Sequence, residues 1–389
     1  MQGFITYVLI LSFISPCICI RVKYVTENNT YNVMQYGAIG DGKSDDTQAF
    51  SRAWNSACNA GGMSTLVIPS EKSFFVTKVN FSGPCDSKIL IQFEGKIVAP
   101  CKQEWRGESY LITIEYLNGL TIDGNGLGEV DGNGSTWWDC PNCDRPGLFH
   151  FHSCNNLTVS NLTISNSPRA HVSANKCNGA TFSNISIDSP AHSPNTDGFD
   201  ISASTNISIQ DSNIKAGDDC IAINGGSYFV NVTRITCGPG HGISVGSLGK
   251  HNANDQVSDI YVWNCTFTGS TNGARIKTVP GGSGYAKNIT YEQIILENVT
   301  NPIIIDQDYR DLEETPSVLV SSVTYRGFKG TFVNKVAIKL DCSSSGCLDI
   351  LLDQNNIVSA EEGGKTFVFC RNAHGTARDT IPQVNCLSE

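Results

Sequence analysis

Two short acidic runs lie near the middle of this chain: Asp197 in Asn195-Thr196-Asp197-Gly198, and Asp218 with Asp219 in Gly217-Asp218-Asp219-Cys220. His241 follows between Gly240 and Gly242, and Arg275-Ile276-Lys277 then brings two fixed cations. Crowded carboxylates drive their pKa values apart, so one can stay protonated as an acid while its neighbours act as base. Acids, a titratable imidazole and cations in succession are therefore the makings of an acid/base site, provided that the fold brings them together.

A repeat supplies the geometry. Apolar residues recur at offsets 0, 2, 5 and 7, as Leu157, Val159, Leu162, Ile164; Ala180, Phe182, Ile185, Ile187; and Ile207, Ile209, Ser212, Ile214. The pattern continues as Val230, Val232, Ile235, Cys237; Ile260, Val262, Cys265, Phe267; Ile289, Tyr291, Ile294, Leu296; and Val318, Val320, Val323, Tyr325, at intervals of 23 to 30 residues. Each unit reads as two short strands broken by a polar residue such as Asn161, Asn184 or Ser212. A unit this small cannot bury its apolar face alone, so units must stack. The expected fold is all-β: a single-stranded right-handed parallel β-helix. A leucine-rich repeat fits worse, because leucine is scarce at the repeated positions and no helix-like half follows each strand pair. Near the N-terminus, Asp45-Asp46-Thr47 offers capping groups, and Ala49, Phe50, Ala53, Trp54 and Ala57 follow at helical spacing. This predicts a short helix capping the open end of the solenoid. Residues 127–150, with Trp137, Trp138, Cys140 and Cys143, read as an inserted loop.

Counted from the first apolar position of their units, Asp218 and His241 share offset 11, so they should be neighbours in adjacent coils about 4.8 Å apart. Asp197 and Lys277 share offset 17, and Arg275 lies two residues before Lys277 on the same strand face. One groove can hold all of them. Taken singly each motif has a bland reading: Asn-Thr-Asp-Gly as a bend, adjacent aspartates as a solvated face, as at Asp45-Asp46, and a histidine between glycines as a turn. Their shared register argues against that reading for the set.

Residues Phe4 to Ile20 are almost all apolar and uncharged, which predicts a signal peptide over 1–19 and one catalytic β-helix over 20–389. A membrane anchor is the rival, but the run is short for a spanning helix and no other stretch could cross a bilayer. Removing 1–19 leaves fourteen of sixteen cysteines, an even number expected to form disulfides in an oxidising compartment. Cys140 and Cys143 lack a second close pair, so bridging is favoured over zinc. Sequons such as Asn80-Phe81-Ser82 and Asn231-Val232-Thr233 fit a secreted glycoprotein. The net charge of −10 excludes nucleic acid as an expected partner, and a polyanionic substrate would need local cations.

In that order, Asn195-Thr196-Asp197, Gly217-Asp218-Asp219, Gly240-His241-Gly242 and Arg275-Ile276-Lys277 closely resemble the four signature motifs of glycoside hydrolase family 28, the polygalacturonases, and specifically the plant members. The resemblance runs from about Val33, through Tyr36-Gly37-Ala38 and Asp41-Gly42, to the C-terminal cysteines. It implies hydrolysis of α-1,4 bonds in pectic homogalacturonan with inversion, which needs an acid on one side of the bond and a base-activated water on the other. It further implies Asp218 as general acid, kept protonated by its ionised neighbours, with Asp197 and Asp219 on the water. His241 would help hold Asp218 in its working state. Asn195 and Tyr309, in Asp306-Gln307-Asp308-Tyr309, would contact substrate, and Arg275 and Lys277 would bind sugar carboxylates. The resemblance calls for no metal or organic cofactor and implies a monomer, secreted to the plant cell wall, without stable membrane association.

The chain departs from the pattern of the plant members at Ile221-Ala222-Ile223-Asn224, where Ser and Gly are common, at Val279, where an aromatic is frequent, and at Arg310, where Cys is common. Cys220 with Cys237, Cys342 with Cys347, and Cys370 with Cys386 are the bridges it suggests. Rival functions are hydrolysis of rhamnogalacturonan or xylogalacturonan on the same scaffold, a pectate lyase, and a catalytically idle wall-binding β-helix. A lyase would need a calcium cluster, and an idle protein would not need Asp197, Asp218, Asp219 and His241 intact. The sequence does not separate endo from exo cleavage, which depends on whether loops close one end of the groove; endo is the working expectation.

Overall fold

The computed structural model describes residues 29–107, 109–140, 142–309 and 316–388. The expected signal segment and Arg310 lie outside these residues. Strand follows strand along the chain, and neighbouring strands pair in parallel in one sheet of twenty strands and one of eleven. The apolar core runs between the two sheets along the solenoid axis, and the fold is a right-handed parallel β-helix. Among the described residues no helix is long and apolar enough to cross a membrane.

The repeat seen in the sequence is the coil of this helix. Strands Asn155–Ser165, Asn178–Asp188, Thr205–Lys215 and Ser227–Cys237 each run eleven residues. Leu157, Ala180, Ile207, Val230, Ile260 and Ile289 stack in register through successive coils. Each strand bends instead of breaking, and the bend sits on one left-handed residue: Asn161, Asn184, Asp211 and Arg234, with φ of 59°, 53°, 53° and 56°. Asn and Asp tolerate that region better than most residues. The asparagines also form a ladder, since Asn184 donates to Asn161 (3.2 Å) and Asn161 to Asp123 (2.8 Å). Ser212, expected at the bend, points inward one residue later and caps the Ile185 amide at 3.0 Å. Fully buried Ile209, Val232 and Val262 each contribute about 1.5–3 kcal/mol by burial.

One repeat register is corrected. Ile289 and Tyr291 stack on Val323 and Tyr325, five residues beyond Val318 and Val320. The motif at offsets 0, 2, 5 and 7 matches half of itself when shifted by five, so it cannot detect the longer connection before this coil. The helix expected near the N-terminus is Thr47–Cys58, and it buries Ala49, Phe50, Ala53, Trp54, Ala57 and Cys58. Its Asp46 is buried, not solvated, and accepts from the amides of Ile39 (2.6 Å) and Gly40 (3.1 Å), while Asp45 caps Thr47 (3.0 Å). The expected loop over 127–150 is shorter, because strands occupy Thr121–Asp131 and Gly147–His152.

Disulfides join Cys58 to Cys85, Cys140 to Cys143, Cys220 to Cys237, Cys342 to Cys347 and Cys370 to Cys386. Cys101, Cys154, Cys177 and Cys265 are free, so the expectation that all fourteen bridge does not hold. Three of the four are buried in the solenoid, where a thiol packs as a small apolar group. The smaller sheet matters most for function. On its strands Val172–Asn175, Phe199–Ser202, Ile221–Ile223, Ile243–Leu248 and Asn272–Thr278, the row Val172, Phe199, Ile221, Ile243, Ala274 points into the core. Alternation therefore turns Ser173, Asp200, Ala222, Ser244 and Arg275 outward, one above the other, as the floor of a groove.

Candidate active site

The loops that enter these strands carry the acids. Gly198 donates to the Asp219 carbonyl (2.9 Å) and His241 N–H to the Asp218 carbonyl (2.8 Å), so Asp197, Asp218 and His241 stand on successive coils. Close contact between coils explains the flanking glycines. A Cβ on Gly217 would lie 1.9 Å from the Ser193 carbonyl oxygen, and one on Gly242 2.4 Å from that of Asn272, where φ is also +89°. Thr196 ties the first two loops together by accepting from the Gly217 amide at 2.9 Å.

Asp218 and Asp219 point to different surroundings. Asp218 accepts from Asn195 Nδ2 (3.2 Å) and the Asp219 amide (2.9 Å), and its Oδ1 lies 2.9 Å from His241 Nδ1. The equal offsets of Asp218 and His241 thus correspond to direct contact. Asp219 is 1 % exposed and sits in a knot of charge: Arg275 Nη2 and Ser244 (2.8 Å) reach Oδ1, and Lys277 Nζ (2.7 Å) reaches Oδ2. Asp197 and Lys277 do not share a column, since Asp197 aligns with Asp219, whereas Lys277 is five residues beyond the matching Asn272. Lys277 bridges the gap with its long side chain. Arg275 lies beneath the groove surface, held by Ser244 and Asp219. Tyr309 closes the far side, with Lys277 Nζ 5.3 Å from its ring centre.

These groups open into a cleft of about 580 Å³ lined by Asn195, Asp197, Asp218, Asp219, Lys277 and Tyr309. Of the expected residues, His241 and Arg275 are not part of this lining; they contact Asp218 and Asp219, which are. Several contributors carried no periodic signal. Asp200 lines the cleft beside Asp197, and strand alternation after Asp197-Gly198-Phe199 could have pointed to it. Fully buried His171 places its Nδ1 2.9 Å from the Asp197 carbonyl and its Nε2 2.8 Å from Ser189 Oγ. Burial outweighs the Asp197 hydrogen bond and lowers its pKa to about 4, so the neutral ring donates to Asp197 and accepts from Ser189. Arg145, 5 % exposed, reaches the carbonyls of Pro168 (3.3 Å) and Pro194 and the Asn195 side chain (2.7 Å).

The protons distribute unevenly. Burial, then the charges of Asp200, Asp218 and Asp219, raise the Asp197 pKa well above the usual carboxylate range despite Lys277, although the groove leaves part of the side chain exposed. Burial and Asp219 likewise raise Asp200 to about 6, against Arg169. Burial pushes Asp218 up too, but the His241 hydrogen bond and charge, Lys277 and the Asp219 amide outweigh it and bring Asp218 down to about 2. In the free groove the proton thus rests on Asp197 and Asp200, reversing the expectation that crowding keeps it on Asp218. The carboxylate and imidazole atoms of Asp218, Asp219 and His241 lie within 4.8 Å of one another, close enough to suggest a metal site. The donor set does not fit one, because Arg275 and Lys277 already occupy Asp219 and would repel a cation.

The model of glycosyl hydrolases family 28 matches residues 58–381. The chain belongs to that family. It is a glycoside hydrolase, 42% identical to a probable polygalacturonase of Arabidopsis thaliana over 94% of this chain and 82% of that protein. It is also 44% identical to a polygalacturonase of Persea americana, over 88% of this chain and 76% of the relative. Among solved structures, the endo-xylogalacturonan hydrolase of Aspergillus tubingensis superposes with a TM-score of 0.80 at 29% identity, over 90% of this chain and 98% of that one.

Proposed function

We propose that this hydrolase cleaves the α-1,4-galacturonosyl bonds of pectic homogalacturonan with inversion, as a monomer outside the plant cell, after removal of residues 1–19. The observation that carries the reading is the cleft itself: four carboxylates, of which Asp197, Asp200 and Asp218 have unequal proton affinities, His241 on Asp218, and cations within an otherwise acidic protein. Asp218 delivers the proton to the leaving oxygen. Its low pKa belongs to the empty groove, and a bound uronate chain that adds negative charge and expels water raises it. The carboxylates share their protons as one coupled set, so loading Asp218 draws on Asp197 and Asp200. Asp197, relieved of its proton, activates the water, and Asp219, fixed by three donors, orients it. Asn195 and Tyr309 contact the sugar, while Lys277 and Arg275 supply positive potential beneath it.

Xylogalacturonan is the second reading, favoured by the 0.80 superposition on the fungal enzyme. Product analysis on both polymers decides between them. Saturated galacturonate oligomers from polygalacturonate, with slower release from xylogalacturonan, support the first reading. The reverse order supports the second, and ultraviolet-absorbing unsaturated ends would overturn hydrolysis altogether.

A further inference from the structure

The cations of the cleft are unequally committed. Arg275 and Lys277 are both bound to Asp219, so their donors are partly occupied before a carboxylate arrives, although the trio keeps one net positive charge. On the N-terminal side of the acids, half-buried Arg169 lines the same cleft and forms no ion pair with the described carboxylates. Asp200 lies within reach of its charge, but burial and Asp219 keep Asp200 protonated below about pH 6. A guanidinium held in this way offers a planar fork of donors matched to a carboxylate.

The surroundings of Arg169 are built, not incidental. Buried Arg145 binds the carbonyl of Pro168, the residue just before Arg169, and at the same time the side chain of Asn195. Asn195 in turn donates to Asp218, so one buried cation fixes the spacing between Arg169 and the acid. The Arg169 loop enters the groove two coils before the Asp218 loop, about 10 Å along the axis. That distance suits a sugar near the reacting one, not the reacting one itself. The Tyr110 and His150 rings stack at 4.2 Å and 12° to form a flat wall of the cleft. Gly147 makes room for it, since a Cβ there would fall 2.7 Å from the Tyr110 ring. Burial, then His152, lower the His150 pKa, with Glu115 opposing and Arg169 adding to the effect. The lowered pKa favours the neutral form of the ring beside the fixed charge of Arg169. Ser173, Asn175 and Ser202 complete a polar floor.

We propose that Arg169 is a specificity-determining residue of the groove, recognising the carboxylate of a uronate unit bound on the N-terminal side of the acids against the Tyr110–His150 wall. The proposal rests on the reading of the cleft as a polygalacturonate site. The test is steady-state kinetics of the full chain on polygalacturonate for wild type, Arg169→Gln and Arg169→Lys. Arg169→Gln should raise KM about tenfold or more, as expected for a lost charged hydrogen bond. It should leave kcat within about threefold, because the contact is equal in ground and transition states. Its KM should also respond less to added salt than the wild-type value. Arg169→Lys should recover part of the loss, and it carries the test by its own smaller KM rise if the glutamine variant fails to fold. An unchanged KM, or a loss confined to kcat, overturns the proposal. So does equal loss in both variants with a lowered thermal midpoint, which marks a packing role. A wild type inactive on polygalacturonate would instead bring down the underlying functional reading.

Discussion

Two charged constructions run along this solenoid, one on each sheet, and they use the same residue types to different ends. On the outer face of the larger sheet, Glu292, Arg326, Asp353 and Arg378 occupy matching positions of successive coils. Signs alternate, and each charge meets an opposite one, at 3.6 Å for Glu292–Arg326 and 2.9 Å for Arg326–Asp353 and Arg378–Asp353. Asp353 pairs with arginines whose side chains are 37% and 62% exposed. On the groove side, Arg275 and Lys277 converge on one carboxylate, Asp219, all three at most 10% exposed. That leaves Asp197, Asp200 and Asp218 to divide protons among themselves. A ladder in which every charge is matched is scaffolding. Chemistry arises where the matching is deliberately incomplete and water is partly excluded.

The largest effect should come from Asp219→Asn. It leaves two buried cations without a full counter-charge, so it should cost about 3–5 kcal/mol and abolish turnover, read by denaturant unfolding and by activity. Asp200→Asn tests the proton sharing. Folded Asp200 holds its proton up to about pH 6, against 3.8 unperturbed, so its contribution to stability is full below about pH 4 and is lost as pH rises through 6. The asparagine variant should flatten that part of the curve of thermal midpoint against pH, by at most about 3 kcal/mol. Asp218 has the opposite sign, and its contribution fades only as pH falls from about 4 towards 2. Arg326→Gln should do least: kcat unchanged and a smaller loss of midpoint than Asp219→Asn, since exposed pairs contribute little. If Arg326→Gln lowered kcat as far as Asp219→Asn did, the contrast between ladder and groove would collapse.

Only the groove side of this contrast was legible in the sequence, because a solenoid turns register into proximity; the charged ladder was not read there. Asp218 and His241, 23 residues apart, meet because equal offsets in neighbouring coils mean stacked backbones. Register says nothing about long side chains or irregular loops. It could not show Lys277 reaching across columns to Asp219, nor Arg145 tying Pro168 to Asn195, because both depend on conformations outside the strand period. Ionisation was hidden, since crowding explains that proton affinities must spread but not that the His241 contact would outweigh burial and lower Asp218. The cysteines misled for a related reason. Cys265 and Cys237 both occupy inward positions of the repeat, yet Cys237 bridges to Cys220 while Cys265 only packs, so the residue type alone did not separate the two.

The most direct test of the central claim is kcat of wild type and Asp218→Asn on polygalacturonate, measured beside their thermal midpoints. Wild type should release saturated galacturonate products, and Asp218→Asn should lose roughly 10²–10⁴-fold in kcat as general acid catalysis is removed. At neutral pH Asp218→Asn also gives up the stability that the lowered Asp218 pKa supplies, so its midpoint should fall modestly while the protein stays folded at the assay temperature. Equal turnover by the two proteins, with both folded, would contradict the assignment of Asp218 as the acid.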